Sequence, residues 1–166
     1  MSTRDNLEAA FAGESQANRR YLAFAAKAEA DGFSQIAKLF RAAAAAETVH
    51  AHAHLRALNG VGETKDNLQV AIDGEAHEFK EMYPEFIRQA EAEGQQKALF
   101  SFRNALAVEE THYNLYSQAL ETLQQGKDLA ATSIHVCGVC GHTALGGAPE
   151  KCPVCGAPAS KFEEVA

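Results

Sequence analysis

Four long segments with helical periodicity constrain the fold of this chain most. In each segment apolar residues recur at spacings of three and four, which is how an amphipathic helix presents one face to a core. The segments run over about residues 3–30, 34–58, 66–92 and 95–125, and short breaks that contain glycine separate them. Long helices with short connections predict an antiparallel four-helix bundle, so the expected fold class is mainly α.

Two positions inside these segments carry local predictions. Ser34 opens the second segment and is a suitable N-cap, because a serine hydroxyl can accept a hydrogen bond from a free N–H of the first turn. Pro84 lies within the third segment. Since proline has no N–H to donate, we expect it to kink this helix or to disturb its hydrogen bonding.

Charged and imidazole side chains interrupt the apolar stripe of every segment. The stripes carry no Lys or Arg that could neutralise these carboxylates, and an unpaired buried charge is very costly. The natural compensating partner is therefore a cation. The residues that lie on or beside the stripes are Glu14, Glu47, His50, Glu75, Glu78, Glu109 and His112.

Spacing supports a site for two metal ions. Glu-x-x-His places both side chains on one helix face, and it occurs twice, in "ETVH" (47–50) and in Glu109 to His112. Glu14 and Glu75 come from the other two helices, as in the carboxylate-bridged di-iron and di-manganese bundles. Carboxylates with two imidazoles suit iron or manganese better than a structural zinc.

A fifth carboxylate, Glu78, lies one turn after Glu75. Its role has two interpretations. It is either a hydrogen-bond acceptor behind the ligands, or a ligand to one iron in the oxidised state that exchanges with His50 in the reduced state.

All four cysteines lie near the end of the chain, as "CGVC" (137–140) and "CPVC" (152–155). No export signal precedes them, and two such pairs predict a tetrahedral metal site with four thiolates rather than disulfides. Zinc would make this tail a structural ribbon, whereas iron would make it a one-electron carrier.

Charge and hydropathy exclude several classes of partner. The formal net charge of −7 argues against binding to nucleic acid or to an anionic membrane surface. No stretch approaches the roughly 20 apolar residues of a membrane span, and the first residues lack the apolar run of a signal peptide. We therefore expect a cytoplasmic protein.

Over nearly its whole length the chain resembles the rubrerythrin family. The motifs that carry the resemblance are "GESQANRRY", "AAETVHAHAH", "GEAHEFKEMYPEF", "AVEETHYNLY" and "CGVCGHTALGGAPEKCPVCGAPASKFE". The resemblance implies a ferritin-like di-iron domain over residues 1–130 and a rubredoxin-like domain with one iron over residues 131–166. It also implies a non-haem peroxidase that reduces hydrogen peroxide to water with electrons from a reductase or a rubredoxin.

The resemblance also assigns roles to single residues. Tyr21 and Tyr83 match tyrosines that hydrogen-bond to ligand carboxylates. The implied di-iron ligands are Glu14, Glu47, His50, Glu75, Glu78, Glu109 and His112, and the implied ligands of the single iron are Cys137, Cys140, Cys152 and Cys155.

Two features depart from the family pattern. The connection over residues 59–66 is short, so extra secondary structure that longer relatives have there is absent. His142 follows the first cysteine pair, where an aromatic residue is usual.

Helix length leads to a prediction about assembly. His112 lies about 14 residues before the helix ends near Gly126, which is roughly 20 Å at 1.5 Å per residue. The tail would then not easily reach the di-iron site of its own chain. We therefore predict a homodimer in which the single iron of one subunit lies near the di-iron site of the other.

Two other functions fit parts of the sequence. A ferroxidase or iron-storage protein would use the same bundle but has no evident need for four cysteines. A zinc-ribbon interaction module would use the tail but leaves the inward carboxylates unexplained.

Overall fold

The computed structural model describes residues 2–166. The chain divides into two compact units, one ending at Gly62 and the other running from Glu63 to Ala166.

The first unit is a pair of helices, α1 (Thr3–Ala30) and α2 (Ser34–Ala57). A capping box starts α1, because Ser2 Oγ accepts from the Asp5 N–H at 3.2 Å and Asp5 Oδ2 accepts from the Ser2 N–H at 2.6 Å. The two helices pack closely through small side chains. The buried alanines of this pair are Ala25, Ala28, Ala37, Ala44 and Ala51.

Ser34 is not the N-cap of α2, so that prediction is wrong. Phe33 occupies the capping position without a side-chain hydrogen bond, and Ser34 is the first helical residue. The reason lies in how α1 ends. Gly32 adopts a φ of +84°, and the N–H groups of Gly32 and Phe33 donate to the carbonyls of Glu29 and Ala28 at the end of α1. Phe33 is therefore the last residue of this turn and also the residue directly before α2.

The second unit contains the remaining helices, and the predicted third helix is divided in it. The helix α3 spans Thr64–His77, a π-helical turn spans Glu78–Met82, α4 spans Tyr83–Ala92 and α5 spans Gln96–Gln124. The expectation that Pro84 disturbs hydrogen bonding is confirmed. The Tyr83 N–H donates to the Glu78 carbonyl five residues back, directly before the proline that cannot donate at all.

The C-terminal part of the second unit is a three-stranded antiparallel sheet. The strands are β1 (Ile134–Cys137), β2 (Thr143–Leu145) and β3 (Phe162–Glu164), and β1 lies in the middle. The class predicted from the sequence, mainly α with a small metal-binding module, is confirmed. Among the described residues, no helix has both the length and the apolar content needed to span a membrane.

Candidate metal centres

The first unit brings three predicted ligands together. His50 Nδ1 lies 2.8 Å from Glu47 Oε2 on the same helix and 3.9 Å from Glu14 Oε1 on α1. The closeness of α1 and α2 makes this possible, and Asn18 of α1 reinforces it by donating to the Ala44 carbonyl of α2 at 2.7 Å. We call Glu14, Glu47 and His50 the first triad.

The second unit repeats this geometry. His112 Nδ1 lies 3.0 Å from Glu109 Oε2 on α5 and 3.6 Å from Glu75 Oε1 on α3. These side chains are better shielded than His50, with 27% of His112 exposed against 56% of His50. We call Glu75, Glu109 and His112 the second triad.

Each triad has a donor set that fits one iron ion. Ligand atoms of its three residues lie within 4.8 Å of one another, and both histidines turn Nδ1 toward the carboxylates. Among residues 2–166 the ion pairs of these carboxylates are with histidine alone. Oxygen and imidazole donors without a neutralising Lys or Arg are what a divalent iron site requires.

Electrostatics in the second unit point to the same conclusion. Burial, together with the negative charges of Glu109 and Glu78, raises the pKa of Glu75 to about 7. Burial and the Glu109 charge also raise the pKa of Glu78. Neighbouring negative charge and burial disfavour the ionised form of these carboxyl groups, and a bound cation would stabilise that form.

Glu78 lies beside the second triad without being part of it. It is the first residue of the π-helical turn, and its pKa responds to the charges of Glu109 and His112. Glu78 thus lies close to the second triad, but its carboxylate is not grouped with the three close ligand atoms.

The two predicted tyrosines lie in different surroundings. Tyr83 lies close enough to the second triad that burial and the charges of Glu109, Glu78 and Glu75 raise its pKa. Tyr21 packs in the first unit against the rings of Phe24 and Phe40, at centroid distances of 6.4 and 6.2 Å.

The four cysteines converge as predicted, and all are free thiols. Cys137 Sγ lies 3.7 Å from Cys155 Sγ, and Cys140 Sγ lies 3.5 Å from Cys152 Sγ. Burial would raise the pKa of Cys152, but hydrogen bonds from the backbone N–H groups of Cys155 and Val154 lower it to about 7. Four sulfurs held this way fit one tetrahedral metal ion.

The turns after each cysteine pair depend on glycine. Gly141 and Gly156 adopt φ values of +87° and +76°, a region that residues with a side chain rarely enter. The Gly141 N–H donates to the Cys137 carbonyl at 2.8 Å, and the Gly156 N–H donates to the Cys152 carbonyl at 2.9 Å.

The cysteine module contacts the second triad of its own chain. His112 Nε2 lies 3.0 Å from Thr143 Oγ1 on β2. The prediction that the tail would not reach the ligands of its own chain is therefore wrong. The distance of 20 Å counted helix length only, whereas residues 125–133 return along α5, so that Leu129 and Ile134 line one cavity together with Leu115.

Sequence reasoning missed Thr143 because nothing in its local pattern marks it. It lies 31 residues from His112, and only the return of the chain joins them. His142 was noted, and it packs edge-on against Phe162 at 6.5 Å. Burial, with a smaller effect of His112, lowers the pKa of His142.

Comparisons with known proteins agree with both kinds of site. The sequence profile described as rubrerythrin matches residues 5–120, and the profile described as the rubrerythrin rubredoxin-like domain matches residues 135–163. Rubrerythrin-2 of Clostridium acetobutylicum is 35% identical, over 97% of this chain and 95% of that protein. Nigerythrin of Nitratidesulfovibrio vulgaris is 38% identical, over 97% of this chain and 85% of that protein.

Solved structures give the same relationship. A structure titled as the partially reduced state of nigerythrin aligns with a TM-score of 0.59 at 34% identity, covering 99% of this chain and 87% of that chain. A second, titled as the fully reduced, all-ferrous state of nigerythrin, aligns with the same TM-score of 0.59. The two triads are thus the candidate di-iron ligands, and the four cysteines form the rubredoxin-like site.

Proposed function

Because the chain belongs to the rubrerythrin family, we propose that it is a non-haem di-iron peroxidase that reduces hydrogen peroxide to water. The observation that carries the proposal is the pair of matching Glu/His triads in a chain that also has a four-cysteine site. A storage protein would need only the triads, and a zinc ribbon would need only the cysteines.

We propose that the two triads together hold the iron pair, with Glu78 as a further ligand or as a carboxylate that accepts and returns protons. Reduction of one peroxide to two waters consumes two electrons and two protons, and a ferrous pair held by these residues would supply both electrons. The chain must supply the protons. Glu78 and Tyr83 are the candidate groups for this step, because both lie close enough to the second triad that burial and the charge of Glu109 raise the pKa of each.

Electrons would enter through iron at Cys137, Cys140, Cys152 and Cys155. Thr143 follows the first cysteine pair and bonds His112, so one short covalent and hydrogen-bonded path joins the two kinds of site. In this proposal residues 1–130 carry the peroxide chemistry and residues 131–166 receive electrons from a reductase or a rubredoxin. We also propose that two copies of the chain form a homodimer.

The proposal is tested by peroxide turnover in the iron-loaded protein with an external reductant. Glu109→Ala should abolish iron binding at the di-iron site and peroxide turnover together. Glu110→Ala is the matched control. The Glu110 side chain is next to Glu109 in the sequence but is exposed, so its removal should leave iron binding and peroxide turnover unchanged. Turnover retained in Glu109→Ala would overturn the proposal, as would accumulation of many irons per chain without peroxide reduction.

A further inference from the structure

We propose that the protein also reduces organic hydroperoxides, and that an apolar cavity beside the second triad holds their carbon tail. This rests on the proposed function, because it uses the same iron and the same source of electrons, and it adds a class of substrate. The cavity lies within the second unit, between α3, α5 and the cysteine module.

Aliphatic side chains form most of the wall of this cavity, which has a volume of about 310 Å³. Among residues 2–166, no Asp, Glu, Lys or Arg lines it. Such a wall favours a hydrocarbon group over water, because removing apolar surface from water is favourable. The volume is at the small end of the range for ligand cavities, so it suits a compact tail. The aliphatic side chains are Leu68, Leu115, Ala119, Leu129, Ile134 and Leu145.

The cavity adjoins the second triad, because His112 belongs to both. Two other lining residues lie on the same helix faces as the carboxylate ligands. Leu68 comes seven residues before Glu75 on α3, and Tyr116 comes seven residues after Glu109 on α5. Seven residues are two helical turns, or about 10 Å. A carbon skeleton in the cavity would therefore start within about two turns of the atoms that would hold iron.

The end of the cavity near the triad is polar, and its other end is open. The polar end is formed by His112 and Thr143, whose side chains are joined by the 3.0 Å bond between Nε2 and Oγ1. The open end lies at Leu129 and Leu145, which are 43% and 42% exposed. A second cavity of about 280 Å³ shares these leucines and continues along residues 129–132. A molecule with a polar head and an apolar tail matches this arrangement, with its head toward the triad.

An organic hydroperoxide is such a molecule, since it carries an O–O–H head on a carbon tail. Its reduction breaks the O–O bond and consumes two electrons and two protons, as the reduction of hydrogen peroxide does. The oxygen bound to carbon leaves as an alcohol, and the outer oxygen leaves as water. The external reductant of the proposed function supplies the electrons through the iron sites. The tail would add contacts that hydrogen peroxide cannot make, which raises kcat/KM for the larger substrate.

Substrate discrimination tests the proposal in the iron-loaded, full-length protein with a chemical reductant. The measured quantity is kcat/KM for cumene hydroperoxide divided by kcat/KM for hydrogen peroxide, so that a general loss of iron cancels. Ala119→Phe fills the cavity from α5 and should lower this ratio by about tenfold or more, because contacts in an apolar cavity discriminate by such factors. Leu145→Glu places a charge at the open end and should lower the ratio as well. Val139→Glu is the matched control, since Val139 is also an exposed apolar residue of the cysteine module but does not line the cavity.

Binding of the product alcohol provides a second measurement that needs no turnover. Cumyl alcohol is added to the full-length protein loaded with zinc, which has no redox chemistry, and the complex is followed by NMR. We expect saturable shifts of the methyl signals of Leu115 and Leu145 and of the Thr143 N–H signal. The same signals should not shift in Ala119→Phe.

An equal ratio in the wild type, Ala119→Phe and Leu145→Glu would overturn the role of the cavity. Cumyl alcohol that does not bind, or that still binds to Ala119→Phe, would overturn it too, and would indicate that other groups occupy this space. In either case turnover of hydrogen peroxide would leave the proposed function intact. A protein that binds the alcohol but reduces neither hydroperoxide would overturn the proposed function and the second activity together.

Discussion

At the scale of single residues, the bond between His112 and Thr143 determines how the imidazole is used. His112 Nδ1 faces Glu109 and Glu75, so a metal bound there requires Nδ1 to be unprotonated. The proton must then be on Nε2, which lies 3.0 Å from Thr143 Oγ1 and donates to it. Such a bond fixes the tautomer and the ring orientation of a metal-binding histidine.

Thr143→Val should therefore weaken the di-iron site without unfolding β2, because valine is also β-branched and favours a strand. We expect a loss of about 10-fold or more in iron affinity or peroxide turnover, as is usual for hydrogen-bond partners of metal-binding histidines. Thr143→Ser keeps the hydroxyl and should restore both. The absorption band of iron at the cysteine site should be the same in all three proteins. Equal turnover in the valine and serine variants would contradict this role.

The carboxyl group of Glu75 predicts a pH dependence in the metal-free protein. Its pKa is about 7 in the folded state, mainly through burial, against 4.5 for the ordinary group. A folded pKa above the unfolded one disfavours the folded state as pH rises from 4.5 to 7, and the cost is complete above 7. Metal-free Glu75→Gln should thus be more stable than the wild type at pH 8, by at most about 3.5 kcal/mol, since the two pKa values differ by about 2.5 and each pKa unit is worth roughly 1.4 kcal/mol.

The difference between these two proteins should vanish near pH 4.5, which chemical denaturation at several pH values would measure. Glu110→Gln removes an exposed carboxylate next to the site and serves as the control. A stability gain of the Glu75 variant that is the same at every pH would show that ionisation of Glu75 is not its cause.

At the scale of elements, the π-helical turn determines which side chains face the second triad. A regular helix rotates by about 100° per residue, so Tyr83 would lie about 80° away from Glu75 on an uninterrupted helix. The one extra residue of a π-helical turn brings it back to within about 20° of Glu75. The raised pKa of Tyr83, caused by burial and by the charges of Glu109, Glu78 and Glu75, is consistent with this orientation.

Deletion of Lys80 should convert the turn into regular helix while leaving Tyr83 in phase with Glu75. We expect the deletion variant to melt at a lower temperature, because Pro84 would then lie inside a regular helix, where its ring meets the carbonyl four residues before it. In the interpretation in which Glu78 exchanges with His50, peroxide turnover should fall, because a regular backbone would hold Glu78 in one position. Lys80→Ala is the matched control: it removes the same side chain, which lies over the rings of Phe79 and Tyr113, but keeps the chain length. A deletion variant with full turnover would contradict a functional role of the π-helical turn.

Helix positions and the donor set could be predicted from the sequence because both depend on spacing within one element. The 3.6-residue period located α1, α2 and α5 to within about two residues, and the two Glu-x-x-His motifs indicated the metal chemistry. The π-helical turn could not be predicted in type, because Pro84 indicates only that a hydrogen bond is missing. The contact of Thr143 with His112 was not predictable, because it depends on the path of residues 125–133.

At the scale of the whole molecule, the proposed function makes the cysteine site and the di-iron site act in series. The cysteine site accepts one electron at a time, whereas reduction of one peroxide needs two. Continuous turnover with a protein reductant then requires a redox-active metal at the cysteines. A single turnover of chemically pre-reduced protein does not, because both electrons are already stored at the di-iron site.

Zinc at the cysteine site should separate these two activities. Zinc has no redox chemistry and prefers the same tetrahedral thiolate geometry, so it preserves the fold of the module while it blocks electron entry. We expect pre-reduced protein with zinc at the cysteines to consume one peroxide per di-iron site at the normal rate. Steady-state turnover with a reductase should fall sharply, because zinc cannot pass electrons on to the di-iron site. Protein from the same preparation, reloaded with iron at the cysteines, is the control and should recover steady-state turnover. Undiminished turnover in the zinc-loaded protein would mean that the cysteine site is structural and that electrons enter the di-iron site by another route.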